Sequence, residues 1–207
     1  PDSLPPVEVC LVIDRSTSMR GERMDMVRSN VRRLLMRLRP KDRIGIVHFS
    51  DRAEVLFPMT EIKDPAKYEP LLYNLQASGA TEIFQGLNQG VELLKNDSHF
   101  LDYKNLILIT DGHTYGDEIK CLELASEAHN LGISINALGI GHEWNDAFLD
   151  LLASKGGGNA VFVQSSEQLS QFLEKKISSI NMNYARKMDL RYETIAQAKL
   201  EYAFRIH

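Results

Sequence analysis

The sequence predicts an α/β fold: a doubly wound, mostly parallel central sheet with one antiparallel edge strand and helices on both faces. Three observations carry this. Apolar runs such as "VEVCLVI" and "NLILIT" are strand-sized and unbroken by polar residues, the pattern of strands covered on both faces. Amphipathic helical stretches alternate with those runs along most of the chain, as in a sheet wound by crossover helices. One pair of strands is joined only by "SDRA", too short for a crossover, so the second of them is an antiparallel edge.

The elements follow in order. Val7 to Ile13 is the first strand. After "DRSTSMRGE", Met24, Val27, Val31, Leu34, Leu35 and Leu38 recur at helical spacing, with Arg28, Arg32, Arg33 and Arg37 on the other, solvated faces. Pro40 closes that helix. "RIGIVHF" and "AEVLFPM" are the strand and its antiparallel neighbour, and helical stretches are expected around 65–75 and 82–95. "NLILIT" ends at Asp111, "GDEIKCLELASEAHNLG" is a helix stopped by glycine, and "ISINALGIG" is the next strand. "NDAFLDLLASKGGG" is a helix with a glycine end, and "NAVFV" is the last strand of the series. "SSEQLSQFLEKKISSI" opens with a capping box on Ser165 or Ser166. The tail then alternates apolar and polar residues at period two in "MDLRYETI" and "AKLEYAFRI". The expected division is a linker over 1–6, the α/β domain over 7–182, and a β segment over 183–207. That segment is either a hairpin or the start of a second, β-rich domain.

Composition narrows the function. Of 207 residues, 43% are hydrophobic and 25% charged, the balance of a globular protein, and the net charge of −4 argues against a nucleic-acid binder. No stretch has the roughly 20 apolar residues of a membrane helix. Cys10 and Cys121 lack a Cys or His partner at ligand spacing, so they read as reduced core thiols, which favours a reducing, cytoplasmic compartment without fixing one. The chain begins "PDSLPPVEV", without an initiator Met or a signal-peptide pattern, and reads as a piece of a longer protein. "ALGIGHEW" lacks the third glycine of a dinucleotide fingerprint, and "GHEWN" is not a zinc-binding H-E-x-x-H.

Three segments bring side-chain oxygens to the carboxyl edge of the predicted sheet, where ligands gather in such folds. They are "DRSTS" with Asp14, Ser16 and Ser18, "GATEI" with Thr81, and "LITDG" with Asp111. Taken singly, these residues are turn formers or helix caps. Together they are two carboxylates and three hydroxyls, hard donors that suit Mg²⁺, Mn²⁺ or Ca²⁺ rather than Zn²⁺ or Cu²⁺. Arg15, Glu82, Gly112 and His113 flank them, placed to support the ligands or touch what binds.

"DRSTS" fits the D-x-S-x-S motif of the von Willebrand factor A (integrin I-like) domain, "GATEI" resembles that family's Thr loop, and "LITDG" its second Asp loop. The order and spacing match over about residues 7–180, and Arg15 and the β tail resemble bacterial members. Thr17 and Ala80 stand where the family often has Gly, and Glu82 where it often has Asn or Asp. The resemblance implies a Rossmann-like sheet and a complete metal-ion-dependent adhesion site at Asp14, Ser16, Ser18, Thr81 and Asp111. It also implies a non-enzymatic adhesion or assembly module that captures an Asp or Glu of a partner through the ion. The partner is another protein or another domain of the same chain. The competing reading is an Mg²⁺-dependent hydrolase. Aspartyl-phosphate chemistry needs a second acid two residues after the nucleophile, however, and that place holds Ser16.

Overall fold

The computed structural model describes residues 6–97, 104–112, 114, 116–141 and 146–180. The strands are β1 (Glu8–Asp14), β2 (Arg43–Phe49), β3 (Ala53–Glu61), β4 (Lys104–Thr110), β5 (Ile133–Ile140) and β6 (Ala160–Val163). The helices are α1 (Glu22–Arg37), the one-turn α2 (Glu69–Leu72), α3 (Ile83–Lys95), α4 (Glu118–Asn130), α5 (Asp146–Lys155) and α6 over 166–180. The six strands form one sheet in the order β3-β2-β1-β4-β5-β6. All neighbouring pairs are parallel except β2 and β3, so β3 is the expected antiparallel edge.

Every residue of β1 is buried, and its side chains divide between two cores. Val9, Leu11 and Ile13 join Met24, Val27, Val31, Leu34 and Leu35 of α1, together with Leu169 and Leu173 of α6. Cys10 and Val12 face α3, α4 and α5 through residues such as Leu87, Val91, Ala125 and Leu149. Period-two alternation thus exists in β1 but is invisible in hydropathy, because helices cover both faces.

One helix comes unusually close to the sheet. A Cβ added to Gly86 of α3 would lie 2.3 Å from the Phe49 ring, and one added to Gly90 would lie 2.6 Å from Val12 Cγ2. These glycines, one turn apart, give up helix propensity to let α3 sit directly on β1 and β2.

The helix expected at 65–75 is broken instead. It is a 3₁₀ turn over Pro65–Lys67 followed by α2. Pro65 and Pro70 supply no N–H and fit only first-turn positions, so each starts a turn and prevents a continuous helix. On β3, exposed Pro58 coincides with an irregular register against β2 between Ile44 and Val47. The expected cap at α6 forms on Ser165, whose Oγ accepts from the Gln168 N–H at 3.3 Å, while Gln168 Oε1 reaches one residue further back and accepts from the Gln164 N–H at 2.7 Å. The β segment over 183–207 and most of the linker over 1–6 lie outside the described residues. Among the described residues no helix is long and apolar enough to cross a membrane.

The winding reverses at β1. Its neighbours are β2 on one side and β4 on the other. The connections from β1 and β4 leave toward opposite faces, through α1 and α4. Chain therefore diverges above the carboxyl ends of β1 and β4, the place where ligands gather in folds of this kind.

Candidate metal centre

Asp14 is the last residue of β1 and is fully buried. Both carboxylate oxygens take hydrogen bonds: Oδ1 from the Ser16 backbone N–H at 2.7 Å, and Oδ2 from the Thr110 hydroxyl at 2.7 Å. Thr110 Oγ1 in turn accepts from the Gly112 N–H at 3.0 Å. Gly112 has φ 87°, a left-handed conformation that turns the chain sharply after Asp111. Burial pushes the Asp14 carboxyl up to about 6, against the lowering pull of its hydrogen bonds, and the Asp111 charge adds to the rise. An acid so placed is strained as an anion unless a cation compensates it.

The turn after β1 brings the two serines together. Ser16 is buried, Ser18 is exposed, and their hydroxyl oxygens lie 3.1 Å apart. Adjacent oxygens around a small octahedral divalent ion with ~2.1 Å bonds are separated by roughly 3 Å. The hydroxyl pair therefore has the spacing of two neighbouring ligands.

The loop carrying Thr81 is laced by the backbone to this turn and to the end of β2. Ser78 N–H donates to Arg15 O at 2.7 Å, Thr17 N–H to Gly79 O at 3.0 Å, and Glu82 N–H to Ser50 O at 2.8 Å. Thr81 is buried, only 4% exposed. Asp111 follows β4 directly and is 1% exposed. Its Oδ2 accepts from Arg23 Nη1 at 3.3 Å, but its Oδ1 has no hydrogen-bond partner among the described residues. A buried carboxylate oxygen left without a hydrogen bond is costly, and a bound cation is one way to compensate it. Among the described residues no group of three or more His, Cys, Asp or Glu could hold a metal. An ion at this edge therefore depends on the hydroxyls as well as the two acids, and the residues present fit that requirement.

The flanking residues divide. Arg15 turns away from the carboxylates: its Nε donates to His48 Nδ1 at 2.9 Å, and its Nη1 to Ser78 Oγ at 3.0 Å. Burial, and then the Arg15 charge, hold His48 below its ordinary value, against the raising pull of Glu54. Glu82 precedes α3 without capping it by its side chain, and its Oε2 accepts from Gln85 Nε2 at 3.3 Å. His113 lies outside the described residues.

Three residues that sequence reasoning passed over hold the site together. Thr110 was legible only as the end of a strand. Arg23 was one more arginine on an arginine-rich helix. Asp117 read as a helix start, yet its Oδ2 accepts from the Phe84 N–H of α3 at 2.8 Å, and its Oδ1 accepts from the Thr114 hydroxyl. Thr114 Oγ1 accepts from the Ile83 N–H at 3.3 Å. The start of α3 is thus capped from the loop that follows Asp111 rather than by its own preceding residue. This contact between distant segments has no local sequence signature.

The family model of the von Willebrand factor type A domain matches residues 8–175. The protein sll0103 of Synechocystis is 30% identical over 200 residues, covering 94% of this chain and 46% of that protein. The crystal structure of the conserved hypothetical protein BatB from Bacteroides thetaiotaomicron shares the fold, with a TM-score of 0.72 and 22% identity over 84% of this chain and 98% of its own. Proximal thread matrix protein 1 from the mussel byssus, solved with a zinc-occupied MIDAS motif, has a TM-score of 0.65 and 21% identity, covering 83% of this chain and 47% of that one. The chain spans less than half the length of the first curated relatives it matches.

Proposed function

The chain belongs to the von Willebrand factor type A family, and from that premise we propose that its sheet edge is a protein-binding site. In this reading Asp14, Ser16, Ser18, Thr81 and Asp111 hold a divalent cation that receives an acidic side chain of a partner. Domains of this family are protein-interaction modules and generally not enzymes. The finer assignment rests above all on one observation. Among the described residues the buried Asp111 Oδ1 has no hydrogen-bond partner, at a sheet edge where two hydroxyls also lie at ligand spacing.

When bound, the ion supplies an electrophilic position for a carboxylate oxygen. The protein's own residues set how strong that position is. Asp14 already gives both oxygens to Ser16 and Thr110, so its charge is partly engaged before any ion arrives. The serine and threonine hydroxyls are neutral ligands and leave the ion's charge to attract an anion. The zinc-occupied site of the mussel protein supports a divalent metal here. The hard oxygen donors of this chain favour Mg²⁺, Mn²⁺ or Ca²⁺.

Likeness to Synechocystis and Bacteroides proteins supports a bacterial-type member, with the adhesion domain over 7–182 as one part of a longer protein. The acidic side chain then comes from another protein or from a neighbouring domain. Calorimetric titration with Mg²⁺, Mn²⁺ and Ca²⁺ tests the site. Binding by the wild type, abolished in Asp14→Ala with its circular dichroism spectrum unchanged, is expected. Equal metal affinity in the two proteins removes the assignment.

A further inference from the structure

Arg23 belongs to the first turn of α1, yet its guanidinium reaches back over the carboxyl edge of the sheet. Its Nη1 donates to Asp111 Oδ2 at 3.3 Å and to the Ser18 carbonyl oxygen at 3.0 Å. The same group lies against Gly141, where an added Cβ would come within 2.9 Å of Nη2. One cation therefore touches the turn after β1, the turn after β4 and the end of β5. The Arg23 side chain is 34% exposed, whereas that of Asp111 is 1% exposed. The guanidinium forms part of the surface that an incoming partner meets.

Resting on the metal-site reading above, we propose that Arg23 is a second cation of the recognition surface, sharing Asp111 with the ion and pairing with the same partner carboxylate. Two consequences follow from its charge. A guanidinium on Oδ2 repels a dication held through Oδ1 of the same carboxylate, so the ion alone is bound weakly. A partner's carboxylate placed against both cations relieves that repulsion, so ion and anion each raise the other's affinity by the same factor. Arginine suits this place because its planar fork can hold Asp111 with one nitrogen and offer another outward. Orientation matters as well: with Oδ2 engaged by Arg23, Asp111 keeps Oδ1 available as the oxygen that would hold the ion. The site then discriminates against bare metal and responds to metal together with an acidic ligand.

The test uses Mg²⁺ titration by calorimetry, with and without acetate as the carboxylate probe, on wild type, Arg23→Met and Arg23→Lys. Arg23→Met is expected to bind Mg²⁺ alone about 10-fold more tightly and to lose most of the gain in affinity that acetate brings. Arg23→Lys keeps the charge and should stay close to wild type for Mg²⁺ alone. If Arg23→Met melts at a lower temperature but binds Mg²⁺ no more tightly, Arg23 is only a tie between loops and the proposal is overturned. A wild type that binds Mg²⁺ no better than Asp14→Ala instead removes the metal site itself, and with it this proposal.

Discussion

Replacing Asp14 by Asn should stabilise the metal-free protein, although it removes a residue central to the proposed site. Burial, with Asp111 nearby, raises the Asp14 carboxyl from 3.8 to about 6. Each unit corresponds to about 1.36 kcal/mol, so at pH 7 the native state carries roughly 3 kcal/mol of unfavourable charge burial. Asn keeps the shape and the bond from the Ser16 N–H. It must, however, donate to Thr110 rather than accept from it, which costs about 1 kcal/mol. The net gain is about 2 kcal/mol, or about 4–8 °C in Tm for a domain of this size. Thermal melts in EDTA at pH 7 read this directly. Because the folded pKa lies above the unfolded one, wild-type stability from this group is full below 3.8 and is lost as pH rises through 6. The gap between the two proteins should therefore close as pH falls from 7 toward 4. Saturating Mg²⁺ should reverse the order at pH 7, since only the wild type gains from binding. An Asn variant that melts at or below wild type in EDTA at pH 7 refutes the reasoning.

The other expectations concern packing and reactivity. Gly86→Ala drives a methyl into the Phe49 ring. It should destabilise the fold by about 1–3 kcal/mol in urea melts with an unchanged m-value, despite alanine's better helix propensity. Asp117→Ala uncaps α3 at the Phe84 N–H and should lower stability by about 1 kcal/mol. Amide exchange should speed selectively at residues 83 and 84. Burial pushes the Cys10 thiol up to about 12 and raises that of Cys121 as well. Neither should react with a thiol reagent at pH 8 until the protein is unfolded, and labelling of the native protein would contradict their burial.

The alternation of strands and helices was legible because each buried strand is an unbroken apolar run and each helix shows one apolar face. The antiparallel edge was legible from the three-residue link, Ser50 to Arg52, between its strands. Asp14, Ser16, Ser18, Thr81 and Asp111 are each ordinary turn or cap residues, and stood out only because three segments bring hard oxygen donors together in a family-like order. What escaped was chemistry made by contacts between distant segments. Thr110 hides as a β-branched strand residue until its hydroxyl is seen on Asp14. Arg23 resembles Arg32 and Arg33 in sequence, but those are exposed while Arg23 bends over Asp111. Arg28, read as solvated, instead donates through Nε to the Leu75 carbonyl at 2.9 Å, tying α1 to the segment after α2. The broken helix around 65–75 was misread because its apolar spacing masks two prolines, each of which removes a hydrogen-bond donor.

The two borders of the sheet bear on how a partner can approach. A strand left open at its side is a template onto which foreign chains add and aggregates grow. Among the described residues one border is β3, interrupted by Pro58 and an irregular register, and the other is β6, only four residues long. Proline offers no amide hydrogen to an added strand, and four residues provide few rungs for a ladder. Lateral β-augmentation is thus poorly served at both margins. The proposed recognition site lies instead at the end of the sheet, where strands stop and loops begin. Docking there engages side chains on loops, so specificity can change by loop substitution while the strand framework stays intact.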